Sequence, residues 1–227
     1  MVINIKTDTL RGALSDTLRG ALSDSHSQLK ILFFYIHIVY MNKLLNVKTG
    51  LDASYQDNNQ AKRTLAKQGF TLDEQLSGQR AKVFVDPSGK PVVSYRGTSN
   101  KKDVITDALI MAGLGKHTKR VKHSKKVMRE VEKKYNQPAG AIGHSLGGYL
   151  AENSGAKGKI VTYNKAATGR KIKNKNQTDI KTNKDLVSIL TRKKKNNVTL
   201  KSKSWNPFTA HSTKSLKDKN VTKGQFV

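Results

Sequence analysis

The run Gly143-His144-Ser145-Leu146-Gly147-Gly148 places a hydroxyl between glycines at the spacing G-x-S-x-G. That spacing lets a chain turn sharply from strand into helix, with the serine held in a strained conformation and its hydroxyl exposed. Glycine is expected at 143 and 147 because a Cβ at either place would clash across the turn. The helix N-terminus beneath the serine would favour negative charge developing there. Alone, the spacing carries little weight, since a chain of this length meets it by chance roughly one time in ten. The second glycine and the flanks add to it: a short strand over Pro138–Gly143 and a helix over Leu146–Ser154.

A serine hydroxyl is a poor nucleophile without a base, and the base needs a carboxylate to orient it. On an elbow of this kind the acid and then the histidine come later in the chain. After Ser145 there is a single histidine, His211, and the acids between the two are Glu152, Asp179 and Asp185. Glu152 falls on the helix leaving the elbow and should point away from the catalytic face. Asp179 falls at the start of a strand, the wrong end for a site. Asp185 comes just past that strand's C-terminal end, where active sites of parallel sheets lie. The expected catalytic set is therefore Ser145, Asp185 and His211. His144 neighbours the nucleophile, but adjacent residues on a strand point opposite ways, so its expected role is structural.

Acyl transfer also needs donors for the tetrahedral oxyanion. One is expected from the backbone N–H of Leu146. The other is expected after an earlier strand, in Val92–Ser99, where Gly97 permits close backbone approach and Thr98 offers an N–H and a hydroxyl. A plain turn at Arg96-Gly97-Thr98 reads equally well locally. This chemistry calls for no cofactor and no metal.

The elements that must position these groups alternate. Asn58–Gln68, Lys101–Ala112 and Thr118–Tyr135 read as helices. In the last, Val121, Val127, Val131 and Tyr135 fall near one face amid charges. Ala81–Val85 and Pro91–Tyr95 read as strands joined by the turn Asp86–Lys90. Lys159–Tyr163, Thr178–Lys181 and Val198–Lys201 are further strands. Strands alternating with helices predict an α/β fold with a mainly parallel central sheet flanked by helices.

With these pieces in place the sequence resembles the class 3 lipase family, the fungal-lipase-like branch of the α/β hydrolases. The matching segments are VVSYRGTS, DVITD, AIGHSLGGYLA, IVTYNKAATG, NKDLVSIL and NPFTAHSTKSL, in family order over about Lys82–Leu216. The resemblance implies the α/β-hydrolase fold and a lipase or esterase activity. It implies Ser145 as nucleophile, Asp185 as acid, His211 as base and Thr98 on the oxyanion loop. The apolar segment Ala108–Gly115 lies where the family carries its lid, and an ordinary packed helix fits it as well.

Composition sets the remaining expectations. The 227 residues suit one domain with a buried core, and the absence of cysteine excludes disulfides and thiolate metal sites. With 43 Lys and Arg against 16 Asp and Glu the net charge is +27. From Lys157 to Val227 there are 19 basic and 3 acidic residues, so 19 − 3 = +16 of the excess lies there. Such a field attracts an anionic membrane surface or nucleic acid. Two function classes follow. One is an esterase or lipase acting on lipid esters, with phospholipid at anionic membranes as a fitting substrate. The other is a basic nucleic-acid-binding or virion-associated protein on an inactive hydrolase scaffold, binding without sequence preference because aromatics in the basic third are few, chiefly Trp205 and Phe208.

Residues 1–45 read as an extension before a lipase-like domain over 46–227. They hold a tandem octamer, Asp8–Ser15 and Asp16–Ser23, and an apolar run, Ile31–Met41. That run is too short to span a membrane, and no small-residue cleavage site follows it. Met41 is a candidate start of the working chain.

Overall fold

A computed structural model describes residues 46–98, 119–166, 174–185, 187, 197–202, 204–217 and 221–223. The expected helix Lys101–Ala112, the candidate lid Ala108–Gly115, the octamers and the apolar run lie outside these residues. The chain divides into two compact units, Met1–Lys43 and Leu44–Val227, and every described residue belongs to the second.

Eight strands form one sheet in chain order: β1 (Thr71–Leu72), β2 (Ala81–Val85), β3 (Pro91–Tyr95), β4 (Gly140–His144), β5 (Ile160–Tyr163), β6 (Gln177–Thr182), β7 (Asn197–Leu200) and β8 (Val221–Lys223). Strands β3 to β7 run parallel, and antiparallel pairs close both edges. The fold is α/β, as predicted. The β2–β3 hairpin follows from its turn: the Asp86 carboxylate accepts from the N–H groups of Ser88 and Lys90, and Gly89 takes φ 83°.

The helices are α1 (described over 46–53), α2 (Asn58–Ala66), α3 (Lys119–Tyr135), α4 (Leu146–Asn153) and α5 (Pro207–His211). Asp57 caps α2 by accepting from the Gln60 N–H at 2.8 Å. The α3 stripe is the one its periodicity predicts. Val121, Val127 and Val131 are buried, joined by Ser124 and Met128, and Tyr135 is half-buried.

Alternation along the strands sends side chains to both faces of the sheet. Val83, Val93, Tyr95 and Ala141 enter one apolar core with Val127, Met128, Leu146 and Leu150 from α3 and α4. Phe84 and Ile142, their neighbours in sequence, meet the backbone of Gly50 in α1: a Cβ there would stand 2.5 Å from Ile142 Cδ1 and 2.8 Å from Phe84 Cζ. Helices therefore cover both faces, and the C-terminal ends of β3 to β6 open onto one edge.

Strands β1 and β8 and helices α1 and α5 were not predicted. The two strands are only two and three residues long. Helix α5 is a single turn held by its cap, Asn206, whose Oδ1 accepts from Phe208 and Thr209, with Pro207 next.

Candidate active site

Ser145 sits between β4 and α4 with φ 56° and ψ −125°, a conformation that costs a non-glycine residue on the order of 1–3 kcal/mol. The glycines show what enforces it. A Cβ on Gly143 would lie 2.1 Å from the Gly147 carbonyl oxygen, across the turn as expected. A Cβ on Gly147 would instead lie 2.1 Å from the carbonyl oxygen of Tyr95, so that glycine lets α4 press against β3 rather than clear the turn itself.

Asp185 lies just past β6, its N–H donating to the Thr182 carbonyl at 3.3 Å, and is 2% exposed. His211 closes α5. Its Nδ1–H donates to Asp185 Oδ1 at 2.8 Å, an assignment that leaves a lone pair on Nε2. Ser145 Oγ and His211 Nε2 are both buried, and neither has a hydrogen-bond partner among the described residues.

His144 does not turn away from His211 as strand alternation suggested: the two ring centres lie 4.7 Å apart. Its Nε2 lies 2.7 Å from the carbonyl oxygen of His211, which can only accept, so Nε2 carries the proton. Nδ1 therefore accepts, and the Tyr55 hydroxyl donates to it at 2.8 Å. Tyr55 in turn accepts from the Gly97 N–H. The chain Gly97, Tyr55, His144, His211 thus links the loop after β3 to the histidine. Burial, and then the neighbouring His211, push the His144 pKa down to about 3, which keeps the ring neutral. Burial pushes Tyr55 up to about 12, so its hydroxyl keeps its proton.

The loop after β3 passes directly against the elbow. A Cβ on Gly97 would lie 2.5 Å from the Tyr55 hydroxyl, 2.6 Å from the His144 carbonyl oxygen and 3.4 Å from Ser145 Cβ. Thr98 follows, half-buried. Leu146 is the first residue of α4, where backbone N–H groups have no partner within the helix.

Asn164, which sequence reasoning missed, ties the site together. Its side-chain amide donates to the carbonyls of Ala210 at 2.9 Å and His211 at 3.0 Å, while its Oδ1 accepts from the Thr182 N–H at 2.8 Å. It does so from φ 43°, a left-handed conformation asparagine tolerates better than most residues. An Asn directly after a strand was the one available signal. Tyr55, far upstream, gave none.

The two acids set aside on sequence grounds occupy a different cluster. Asp179 lies within β6 rather than at its start, because the strand begins at Gln177. Lys165 Nζ reaches Glu152 Oε1 at 2.9 Å and Asp179 Oδ2 at 3.1 Å, with all three side chains buried. Gln177 donates to both carboxylates, and Thr162 donates to Asp179 at 2.7 Å. Burial alone would push the Asp179 carboxyl up, but Lys165 and these hydrogen bonds outweigh it and hold it below the usual range. The cluster is an ion-paired support under β5 and β6. Among the described residues no group of acids and histidines is arranged to hold a metal.

Residues 37–188 match a family described as phospholipase-like, the Tle-like phospholipase domain. The match includes Ser145 and Asp185 and ends before His211. No curated protein matches the chain. Among solved structures, a crystal structure of a mutant form of MDLA from Penicillium cyclopium is similar at 14% identity, over 81% of this chain and 84% of that one, with a TM-score of 0.43.

Proposed function

The chain belongs to the phospholipase-like family of the Tle-like phospholipase domain, and from that premise we propose that it is a serine hydrolase of lipid carboxylic esters, with phospholipid as substrate and Ser145, His211 and Asp185 as its catalytic residues. One observation carries the reading. His211 is anchored to Asp185 through Nδ1, while its Nε2 and the strained Ser145 hydroxyl are both buried without partners among the described residues.

In this reading His211 Nε2 takes the Ser145 proton as Oγ forms a bond to the ester carbonyl carbon. The carbonyl π electrons move onto oxygen, and the N–H groups of Leu146 and Thr98 donate hydrogen bonds to the oxyanion so formed. Collapse of that intermediate breaks the bond to the alcohol, which leaves with the proton held by His211. Water then gives a proton to His211 Nε2 as its oxygen bonds to the acyl carbon, and collapse breaks the bond to Ser145 Oγ, which regains the proton as the fatty acid leaves. Asp185 keeps the imidazole in the productive tautomer and stabilises its cation without taking a proton itself.

The test uses the full chain on a water-soluble short-chain ester and on phospholipid vesicles. Ser145→Ala should lower kcat by about 10³-fold or more, with the far-UV spectrum unchanged. A fluorophosphonate should label the parent protein on Ser145 and leave the variant unlabelled. Equal hydrolysis by the two proteins would reject the reading.

A further inference from the structure

Two large apolar side chains stand out in solvent among the described residues: Trp205, 87% exposed, and Phe208, 53% exposed. Both belong to the segment that delivers His211. Asn206 lies between them, and its cap on α5 fixes the backbone from which both rings project. The approach to that cap is tied as well. The Ser202 N–H donates to Asn183 Oδ1, the Ser204 N–H to Ser202 Oγ, and the Asn206 N–H to Ser204 Oγ, at 3.0 to 3.2 Å. Lys184, next to Asp185, holds its Nζ 3.7 Å from the centre of the Trp205 ring. The loops carrying the proposed acid and base therefore meet where Lys184 covers the exposed Trp205 ring.

An isolated ring gains nothing from standing in water. Tryptophan favours the headgroup level of a bilayer, where its apolar body and its polar N–H are both satisfied. Charge selects the kind of bilayer. Lys201 and Lys214 are exposed on the segments flanking α5. From Leu186 to Val227 the sequence has ten Lys and Arg residues against one acid, Asp218. Basic residues near a membrane are drawn to anionic headgroups. Duplex nucleic acid would answer the charge, but it keeps its bases stacked and offers the exposed rings of Trp205 and Phe208 no apolar layer to enter.

We propose that the Trp205–Phe208 face seats the protein on an anionic phospholipid bilayer, both rings entering the headgroup layer with Lys184, Lys201 and Lys214 against the phosphates. This rests on the reading of the site as a lipid hydrolase and adds the surface on which that site meets its substrate.

Trp205 is the sole tryptophan of the chain, so its fluorescence reports this face alone. The Ser145→Ala full chain, which leaves vesicles intact, is titrated with phosphatidylglycerol vesicles, phosphatidylcholine vesicles and duplex DNA. The expected result is a blue shift with phosphatidylglycerol, quenching when those lipids carry bromine on their acyl chains, and no shift with phosphatidylcholine. Adding Trp205→Ala and Phe208→Ala should weaken sedimentation with phosphatidylglycerol vesicles by roughly tenfold. Vesicle binding with unchanged emission, no vesicle binding, or a response to DNA and none to vesicles would each overturn the proposal. Hydrolysis is not read here, so a parent protein lacking esterase activity would end the proposed function and leave the docking result standing.

Discussion

The Nε2–H of His144 donates to the backbone carbonyl of His211 across 2.7 Å, so the residue beside the proposed nucleophile fixes the backbone of the proposed base. The two rings lie 4.7 Å apart, and Asn164 donates to the same carbonyl. In the proposed site His144 would act as a positioning residue, its effect passing through His211.

Removing that donor should displace the base without removing it. His144→Phe is expected to lower kcat on a soluble ester by about 10–100-fold with little change in KM, because displacement by an ångström costs that much in a positioned reaction. His144→Gln, which keeps a donor, should recover part of the loss. Steady-state kinetics of the two variants decide it. Equal losses in both would mean that the donor is not what matters.

The same ring makes stability depend on pH. Unfolded, His144 takes a proton near its ordinary value of 6.5; folded, it resists until about 3. Between those values the unfolded state binds more protons, so stability is complete above pH 6.5 and is lost as pH falls towards 3. Between pH 7 and 5 the loss should be about 2 kcal/mol. Asp179, held below its ordinary value, adds a further loss only under stronger acid. Urea midpoints at pH 7 and pH 5 should differ in the parent protein and converge in His144→Gln.

Lys165 balances two buried carboxylates. Lys165→Met is expected to destabilise the fold by about 3–5 kcal/mol, since it leaves buried charges uncompensated. The thermal midpoint should fall by on the order of 10 °C. Adding Glu152→Gln and Asp179→Asn to Lys165→Met should restore much of that, because the charges left behind would be gone. Calorimetry on the single and triple variants distinguishes loss of charge balance from loss of packing.

What the sequence revealed, and what it hid, divides along the range of the interactions. The elbow was legible because its three marker residues fall within five positions, although Gly147 is required by the Tyr95 carbonyl of β3 rather than by the turn. The strands β2 and β3 were legible because two short runs rich in β-branched and aromatic residues flank a turn built by Asp86 and Gly89. The pairing of Asp185 with His211 could be anticipated from chain order, since only one histidine follows Ser145. The supports were not legible. Tyr55 reaches His144 across 89 positions, and Lys165 is a single lysine in a chain rich in them. Neither has a local pattern, because its partner is brought in by the sheet. Asp179 was misplaced because the polar residues Gln177 and Asp179 mask the start of β6. They are buried there beside Lys165, just past β5, and Glu152 of α4.

Ser145 offers a measurement of what the elbow costs. At φ 56° a serine is strained, whereas glycine adopts that backbone freely. Ser145→Gly and Ser145→Ala both remove the hydroxyl, but only glycine relieves the strain. The glycine variant should therefore unfold at a higher temperature than the alanine variant, by about 1–2 kcal/mol in stability, while both lack esterase activity. Glycine's greater freedom in the unfolded chain opposes the gain by less than about 1 kcal/mol, so the sign survives. Denaturant melts of the two variants provide the comparison. An alanine variant as stable as the glycine variant would mean that the turn is held without strain.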